Sequence, residues 1–324
     1  MNWRFGFSGV FAASLLAAAC LGFTQAEAQD REGPSPIGLS KDFASKFATV
    51  NGTTLHYVRG GKGPPLILIH GFPQDWYEYQ PIMPRLAKQF TVIALDLRGI
   101  GGSSAAPGGY DAANLAEDVH QLATALKLQS VYVVGHDVGG PVAFAFALRF
   151  PDTARGVMIL DAVLPGIAGW DEIMASPYTW HIGFMQAPGL AEQLVPGHQA
   201  AYLGRFYTIG KFSPADVAHY LKAYETPEQL HSIFEIYRAF PANVEYNRAH
   251  LGANALPLFI AFGDKSHQGP MAPKLAAGLR DAGFSHVQTG VIPGANHYVV
   301  QDQPDEVAAL IEQQAAPARP QSRQ

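Results

Sequence analysis

Six short runs of apolar, mostly β-branched residues recur along this chain, with stretches of helical spacing between most of them. Leu66-Ile67-Leu68-Ile69, Thr91–Leu95, Val131–Val134 and Val157–Leu160 form the first group, and Leu258–Phe262 and Val287–Ile292 repeat the pattern later. A strand apolar on both faces must be covered on both, as in a parallel sheet between layers of helices. Leu115–Leu126, Pro141–Phe150 and Met271–Gly283 have the spacing of those helices. The alternation predicts an α/β fold: a mostly parallel sheet with helices on both faces.

Between about Pro165 and Leu256 the alternation stops. This stretch is rich in Trp, Tyr, His and Phe and reads as helices without buried strands, too long for a loop. We expect residues 165–256 to form a helical lid inserted into a core made of 29–164 and 257–316, with 317–324 as a flexible tail. Residues 29–45 are polar and carry Pro and Gly, which suggests a loose arm.

The first 28 residues differ in character. One charge, Arg4, precedes the apolar run Ser8–Phe23, and Ala26-Glu27-Ala28 offers small residues for cleavage. This pattern predicts a secretory signal peptide and an exported, periplasmic or secreted protein. The run falls short of the ~20 residues of a spanning helix, so stable membrane insertion is not expected. Cys20 after Ala17-Ala18-Ala19 leaves a lipoprotein as an alternative, although a bulky aliphatic residue is expected where Ala17 stands. Cys20 is the only cysteine, so cleavage after Ala28 leaves none for thiol catalysis, disulfides or thiolate metal sites. A net charge of −5, without a basic block, argues against a nucleic-acid partner.

The strongest chemical signal is Gly135-His136-Asp137-Val138-Gly139, which follows a strand and opens a helix. It has the form of the sharp G-x-S-x-G turn that exposes a nucleophile, with Asp137 in the serine position. Alone, the pentapeptide also fits a junction whose Asp merely caps a helix. Two other segments add weight. His70-Gly71-Phe72-Pro73 follows the first buried run, where backbone N–H groups can form half of an oxyanion hole. His297, one of 12 histidines, stands in Pro293-Gly294-Ala295-Asn296-His297 just past the last run, and position alone selects it.

Taken with Asp96-Leu97-Arg98-Gly99, these segments resemble, in order and spacing, the epoxide hydrolase and dehalogenase branch of the α/β-hydrolase superfamily. The resemblance spans nearly all of the chain after residue 28. It implies Asp137 as nucleophile, His297 as base, and the N–H groups of Phe72 and Val138 as the oxyanion hole, with a cis peptide at Phe72–Pro73. It offers two slots for the acid that orients His297. Asp161 fills one; in the other, Gly263-Asp264-Lys265-Ser266, the expected position holds Ser266. We therefore expect Asp161 rather than Asp264. Tyr237 in Phe234–Arg238 and His181 in Trp180–Phe184 resemble the ring-opening pair of a subgroup that joins His with Tyr in its lid. A packed aromatic and a capped histidine are the purely structural readings of the same two residues.

A carboxylate, with a pKa of about 3.9, is ionised at neutral pH without help and can attack a saturated carbon. Serine in its place would suit acyl transfer, so Asp137 argues against an ordinary esterase. The expected function is conversion of an apolar epoxide to a vicinal diol through an ester on Asp137, which water activated by His297 then hydrolyses. A haloalkane or haloacetate dehalogenase is the alternative. Fluoroacetate dehalogenases carry arginines where Val138 and Pro141 stand, and haloalkane dehalogenases carry Trp in place of Val138, so both lose donors here. A secreted effector that kept the fold without turnover is an alternative of another class. The Trp170, Phe184, Phe206 and Phe240 rings suggest an apolar pocket for a small-molecule substrate. No metal, nucleotide or flavin cofactor is implied. The oligomeric state stays open, a homodimer included.

Overall fold

The computed structural model describes Met1 and residues 31–317. Apart from Met1 and Pro317, the expected signal peptide and tail lie outside the described residues. Nine strands form one sheet in the order β1-β2-β3-β5-β4-β6-β7-β8-β9. They are β1 (Arg31–Glu32), β2 (Phe43–Val50), β3 (Thr53–Gly60), β4 (Pro65–Ile69), β5 (Thr91–Leu95), β6 (Val131–His136), β7 (Ala154–Leu160), β8 (Leu258–Gly263) and β9 (Val287–Ile292). The pairs β1–β2, β2–β3 and β3–β5 are antiparallel, and β4 through β9 pair in parallel.

The six apolar runs are the six parallel strands. Neighbouring residues along them enter different cores. Ile67, Ile69, Ile93 and Leu95 pack on one face with Leu115, Val119, Val142 and Phe146, which belong to helices Ala112–Ala125 and Gly139–Arg149. Leu66, Leu68, Val92 and Ala94 pack on the other with Val307 and Ile311 of helix Pro304–Ala315. This two-sided burial is why the strands read as continuous apolar runs. At the sheet edge β9 departs from the rule: with a neighbour on one side only, Val291 is exposed.

The antiparallel strands at the other edge were not expected. The described part of the expected loose arm, residues 31–45, is tied to the sheet: Arg31 and Glu32 pair with Phe47 and Lys46 of β2, whose strand begins at Phe43. Between β2 and β3, Asn51 and Gly52 both have positive φ, +43° and +73°, and join the directly paired Val50 and Thr53. An Asn-Gly pair with this backbone is a two-residue hairpin turn, and it is the sequence signal that marks these strands.

Between β7 and β8 the described residues form helices and no strand. Helix Pro214–Lys222 opens on a capping box from Ser213, and helix Pro227–Arg238 on one from Thr226. Ile182, Tyr224, Ile233 and Tyr237 of this insertion share the core of the first sheet face. It lies over the carboxyl ends of the parallel strands, where open α/β sheets place their ligand crevice.

Candidate active site

Asp137 follows β6 directly and holds φ at +47°, a conformation that L side chains seldom adopt. Two glycines make its turn passable. A Cβ on Gly135 would lie 2.1 Å from the Gly139 carbonyl oxygen, and one on Gly139 would lie 2.5 Å from that of Ile69. The turn is pinned by Asp137 N–H to Leu160 O at 3.2 Å and by Gly140 N–H to Asp137 O at 2.9 Å. The Asp137 carboxylate is thereby set on the floor of a cavity of about 610 Å³ beneath the insertion.

The loop after β9 brings His297 to it. Nε2 of His297 lies 3.2 Å from Asp137 Oδ2, and Nδ1 lies 2.9 Å from Asp161 Oδ1. Asp161, at the end of β7, is fully buried and also accepts Gly263 N–H at 2.8 Å and Ser266 Oγ–H at 2.6 Å. Asp264 turns away instead and accepts Gly294 N–H at 2.8 Å. The geometry thus brings Asp161, and not Asp264, to His297. Ser266, which occupies the other slot, serves the same carboxylate as a donor.

After β4 comes the loop His70–Pro73, with Phe72–Pro73 in cis. Phe72 N–H donates to Asp137 Oδ1 at 3.1 Å. Val138 caps helix Gly139–Arg149, so its N–H lies outside the helical ladder, and it lines the cavity. The loop can come this close only because Gly71 has no side chain: a Cβ there would lie 2.6 Å from Asp137 Cβ and 2.8 Å from His136 Nδ1.

The insertion supplies the roof. His181 from helix Trp180–Gln186 and Tyr237 from helix Pro227–Arg238 both line the cavity, with ring centroids 5.9 Å apart. Gln186 Nε2–H, on the His181 helix, donates to the Tyr237 carbonyl at 3.0 Å and ties the two helices together. Trp170, Phe206 and Phe240 line the cavity as expected. Phe184 does not; it packs against Trp180 and Tyr202, because its helix turns that face towards its neighbours within the insertion.

The electrostatics separate these groups sharply. Burial opposes charge on Asp137, but the His297 contact outweighs it and holds the carboxyl well below the usual carboxylate range. Burial likewise opposes charge on His297, yet Asp137 and Asp161 together carry it up to about 10. At rest the two form an ion pair. His181 goes the other way, since burial lowers it to about 4, and Tyr237 is pushed well above the ordinary phenol value, first by burial and then by the Asp137 charge. Both roof groups are therefore neutral at pH 7.

Four residues of the site escaped sequence reasoning. His267 lines the cavity, and Gln268 Nε2–H donates to the Asp161 carbonyl at 3.3 Å. Below the floor, fully buried Glu78 and His136 face each other at 3.0 Å. His136 sits inside the recognised pentapeptide, but Glu78 follows the first motif without any spacing that would mark it. Away from the cavity, Glu192, His231 and Glu235 converge as a possible cation cluster, but Arg238 is ion-paired to both carboxylates. Its guanidinium already balances the charge that would draw a metal.

Residues 64–304 match the model of the alpha/beta hydrolase fold family. The chain is 33% identical over 277 residues to a soluble epoxide hydrolase of Corynebacterium sp. (strain C12), covering 82% of this chain and 95% of that protein. It is 30% identical over 305 residues to a fluoroacetate dehalogenase of Burkholderia sp., covering 87% and 96%. Among solved structures, the Cif epoxide hydrolase from Acinetobacter nosocomialis superposes with a TM-score of 0.76 at 23% identity, over 85% of this chain and 90% of that one, a likeness of fold. With its mostly parallel sheet, its strand-to-helix turn at Asp137 and relatives that are epoxide hydrolases and a dehalogenase, the chain belongs to the alpha/beta hydrolase family and is a hydrolase.

Proposed function

We propose that the protein is an epoxide hydrolase that opens its substrate with Asp137 and releases a vicinal diol. The observation that carries this reading is the roof: a buried neutral phenol, Tyr237, beside a half-buried neutral imidazole, His181, over the same cavity as an ionised carboxylate. Halide departs as a stable anion, whereas an epoxide oxygen departs as an alkoxide and needs an acid at hand.

Asp137 attacks one ring carbon, a C–O ester bond forms and the ring C–O bond breaks. Tyr237, with His181 beside it, gives the departing oxygen its proton. Esterification removes the charge of Asp137, so His297 loses one of its two carboxylate partners and its affinity for its own proton falls. The proton it sheds balances the one given by Tyr237. Neutral His297, oriented by Asp161, then takes a proton from water, and the resulting hydroxide attacks the ester carbonyl. The N–H groups of Phe72 and Val138 face the tetrahedral oxyanion. Collapse returns Asp137 as carboxylate, His297 as imidazolium and the product as diol, so the cycle closes without residue.

Dehalogenation is the second reading, favoured by the similarity to fluoroacetate dehalogenase. Against it, Val138 and Pro141 line the cavity with hydrocarbon where halide or carboxylate donors would be needed. A panel of epoxides, alkyl halides, haloacetates and esters, run beside Asp137→Ala, separates these readings and the non-catalytic one. His297→Gln should accumulate an enzyme heavier by one substrate on Asp137, read by intact mass, and a clean unmodified mass sinks the mechanism. We also read the chain as exported, on the apolar run Ser8–Phe23 and Ala26-Glu27-Ala28. Terminal sequencing of protein from periplasm or medium should begin at Gln29, and a retained leader overturns this.

A further inference from the structure

Under the cavity floor lies a pair for which the reaction above has no use. Glu78 and His136 are both fully buried, and neither lines the cavity. Glu78 Oε2 accepts Gly71 N–H at 2.8 Å, and its Oε1 stands 3.0 Å from His136 Nδ1, an ionic contact not aligned as a hydrogen bond. At the other side of the ring, His136 Nε2 lies 2.9 Å from the His297 carbonyl oxygen.

We propose that Glu78 and His136 are an ionised positioning pair, with His136 holding both ring protons, which fastens the oxyanion loop, the nucleophile and the base loop to one another. The proposal rests on the epoxide hydrolase reading for the roles of those three parts. Its chemistry is independent of that reading. A carbonyl oxygen only accepts, so His136 must carry a proton on Nε2. A bare Nδ1 would then leave its lone pair beside a carboxylate oxygen 3.0 Å away in a site closed to solvent, with nothing to offset either. The second proton offsets both. Because Gly71 precedes Phe72, because His136 precedes Asp137, and because the third contact is the backbone of His297 itself, one buried pair touches all three working parts.

The groups facing His136 fit a cation. Glu78 comes from the short helix after the oxyanion loop, and Asp137 is the next residue in the chain. The His297 and Tyr298 rings from the base loop lie at 5.0 and 6.2 Å. Burial lowers the proton affinity of His136 and His297 opposes it as well, but Glu78, aided by Asp137, raises it above the ordinary value. Since Glu78 cancels the charge of His136, the pair adds no net charge beneath the ion pair of Asp137 and His297.

The alternative for the same geometry is a protonated Glu78 donating to a neutral ring. Glu78→Gln tells the two apart, because glutamine can still donate to a bare Nδ1 but brings no negative charge to offset an imidazolium. In single-turnover experiments the variant should form the ester within about threefold of the wild-type rate, yet hydrolyse it at least about tenfold more slowly. The ratio of wild-type to variant hydrolysis rates should shrink as pH falls and His136 regains its second proton. A hydrolysis rate equal to wild type at every pH, or a pH-independent deficit, overturns the proposal. Nitrogen NMR of the wild-type imidazoles at pH 8 reads the pair directly, even if the variant does not fold: two protonated nitrogens on His136 support it, one bare nitrogen overturns it. If wild type forms no ester at all, the epoxide hydrolase reading fails while the NMR result still decides the state of the pair.

Discussion

Side-chain reach brings Asp161, and not Asp264, to His297, and under the proposed mechanism this has measurable consequences. Asp161 holds three hydrogen-bond donors in a buried site, whereas Asp264 meets one backbone N–H in an exposed loop. Asp161→Asn should lower the ester hydrolysis rate by about a hundredfold or more, since a misoriented base forfeits most of a general-base effect, while Asp264→Asn should change it by less than about threefold. Single-turnover kinetics check both, and equal losses would return the orienting role to doubt. His181 adds a pH prediction. Its folded value of about 4 lies below its ordinary 6.5, so the unfolded chain binds more protons between those values. Its contribution to stability is complete above pH 6.5 and is lost as pH falls towards 4, a change on the order of 3 kcal/mol. His181→Gln should flatten urea-derived stability across that window, and an unchanged slope would mean that the fold does not hold the imidazole neutral. Asp137 was legible in the sequence because its turn is flanked by glycines, and His297 because of its position just past the last apolar run. Glu78 was not, because a buried carboxylate is recognised by its partners, and they arrive from other segments.

Helices Trp180–Gln186 and Pro227–Arg238 hold the two roof residues, and the bond from Gln186 to the Tyr237 carbonyl sets their separation. Gln186→Ala should slow ester formation by about three- to tenfold, the effect of one lost hydrogen bond of about 1 kcal/mol, and leave ester hydrolysis alone. Rapid-quench measurement of both steps checks this; slowing of hydrolysis instead would place the roof in the wrong half of the cycle. The strands of the parallel sheet followed from two-sided burial, although β6 runs on to His136 and β7 begins earlier, at Ala154. The antiparallel edge did not, because β2 reads as a mixed polar and apolar strand exposed on one side, and only Asn51-Gly52 betrays the hairpin. Within the insertion, sequence pointed to helices but not to which aromatic rings face the cavity. Phe184 and Phe206 look alike as residues, and only the packing of their helices separates them.

At the scale of the molecule, the insertion and the sheet share one hydrophobic core, in which Ile182, Ile233 and Tyr237 join Ile67, Val133 and Ile159. We expect one cooperative unfolding transition, with near-ultraviolet signals from Trp170 and Trp180 melting together with the far-ultraviolet signal of the sheet. A separate earlier transition of the tryptophan signal would show an insertion that opens alone. Two tyrosines of the insertion also reach into the core: Tyr207 Oη–H donates to the Pro73 carbonyl at 2.6 Å and Tyr224 Oη–H to that of Gln74 at 2.8 Å. These are the carbonyls of the same short loop that presents Phe72 N–H to Asp137. A chimaera carrying a foreign cover, made to broaden what the enzyme accepts, would strand both acceptors unless it replaced the two phenols. Substrate range in this scaffold is therefore easier to redraw ring by ring than by wholesale exchange.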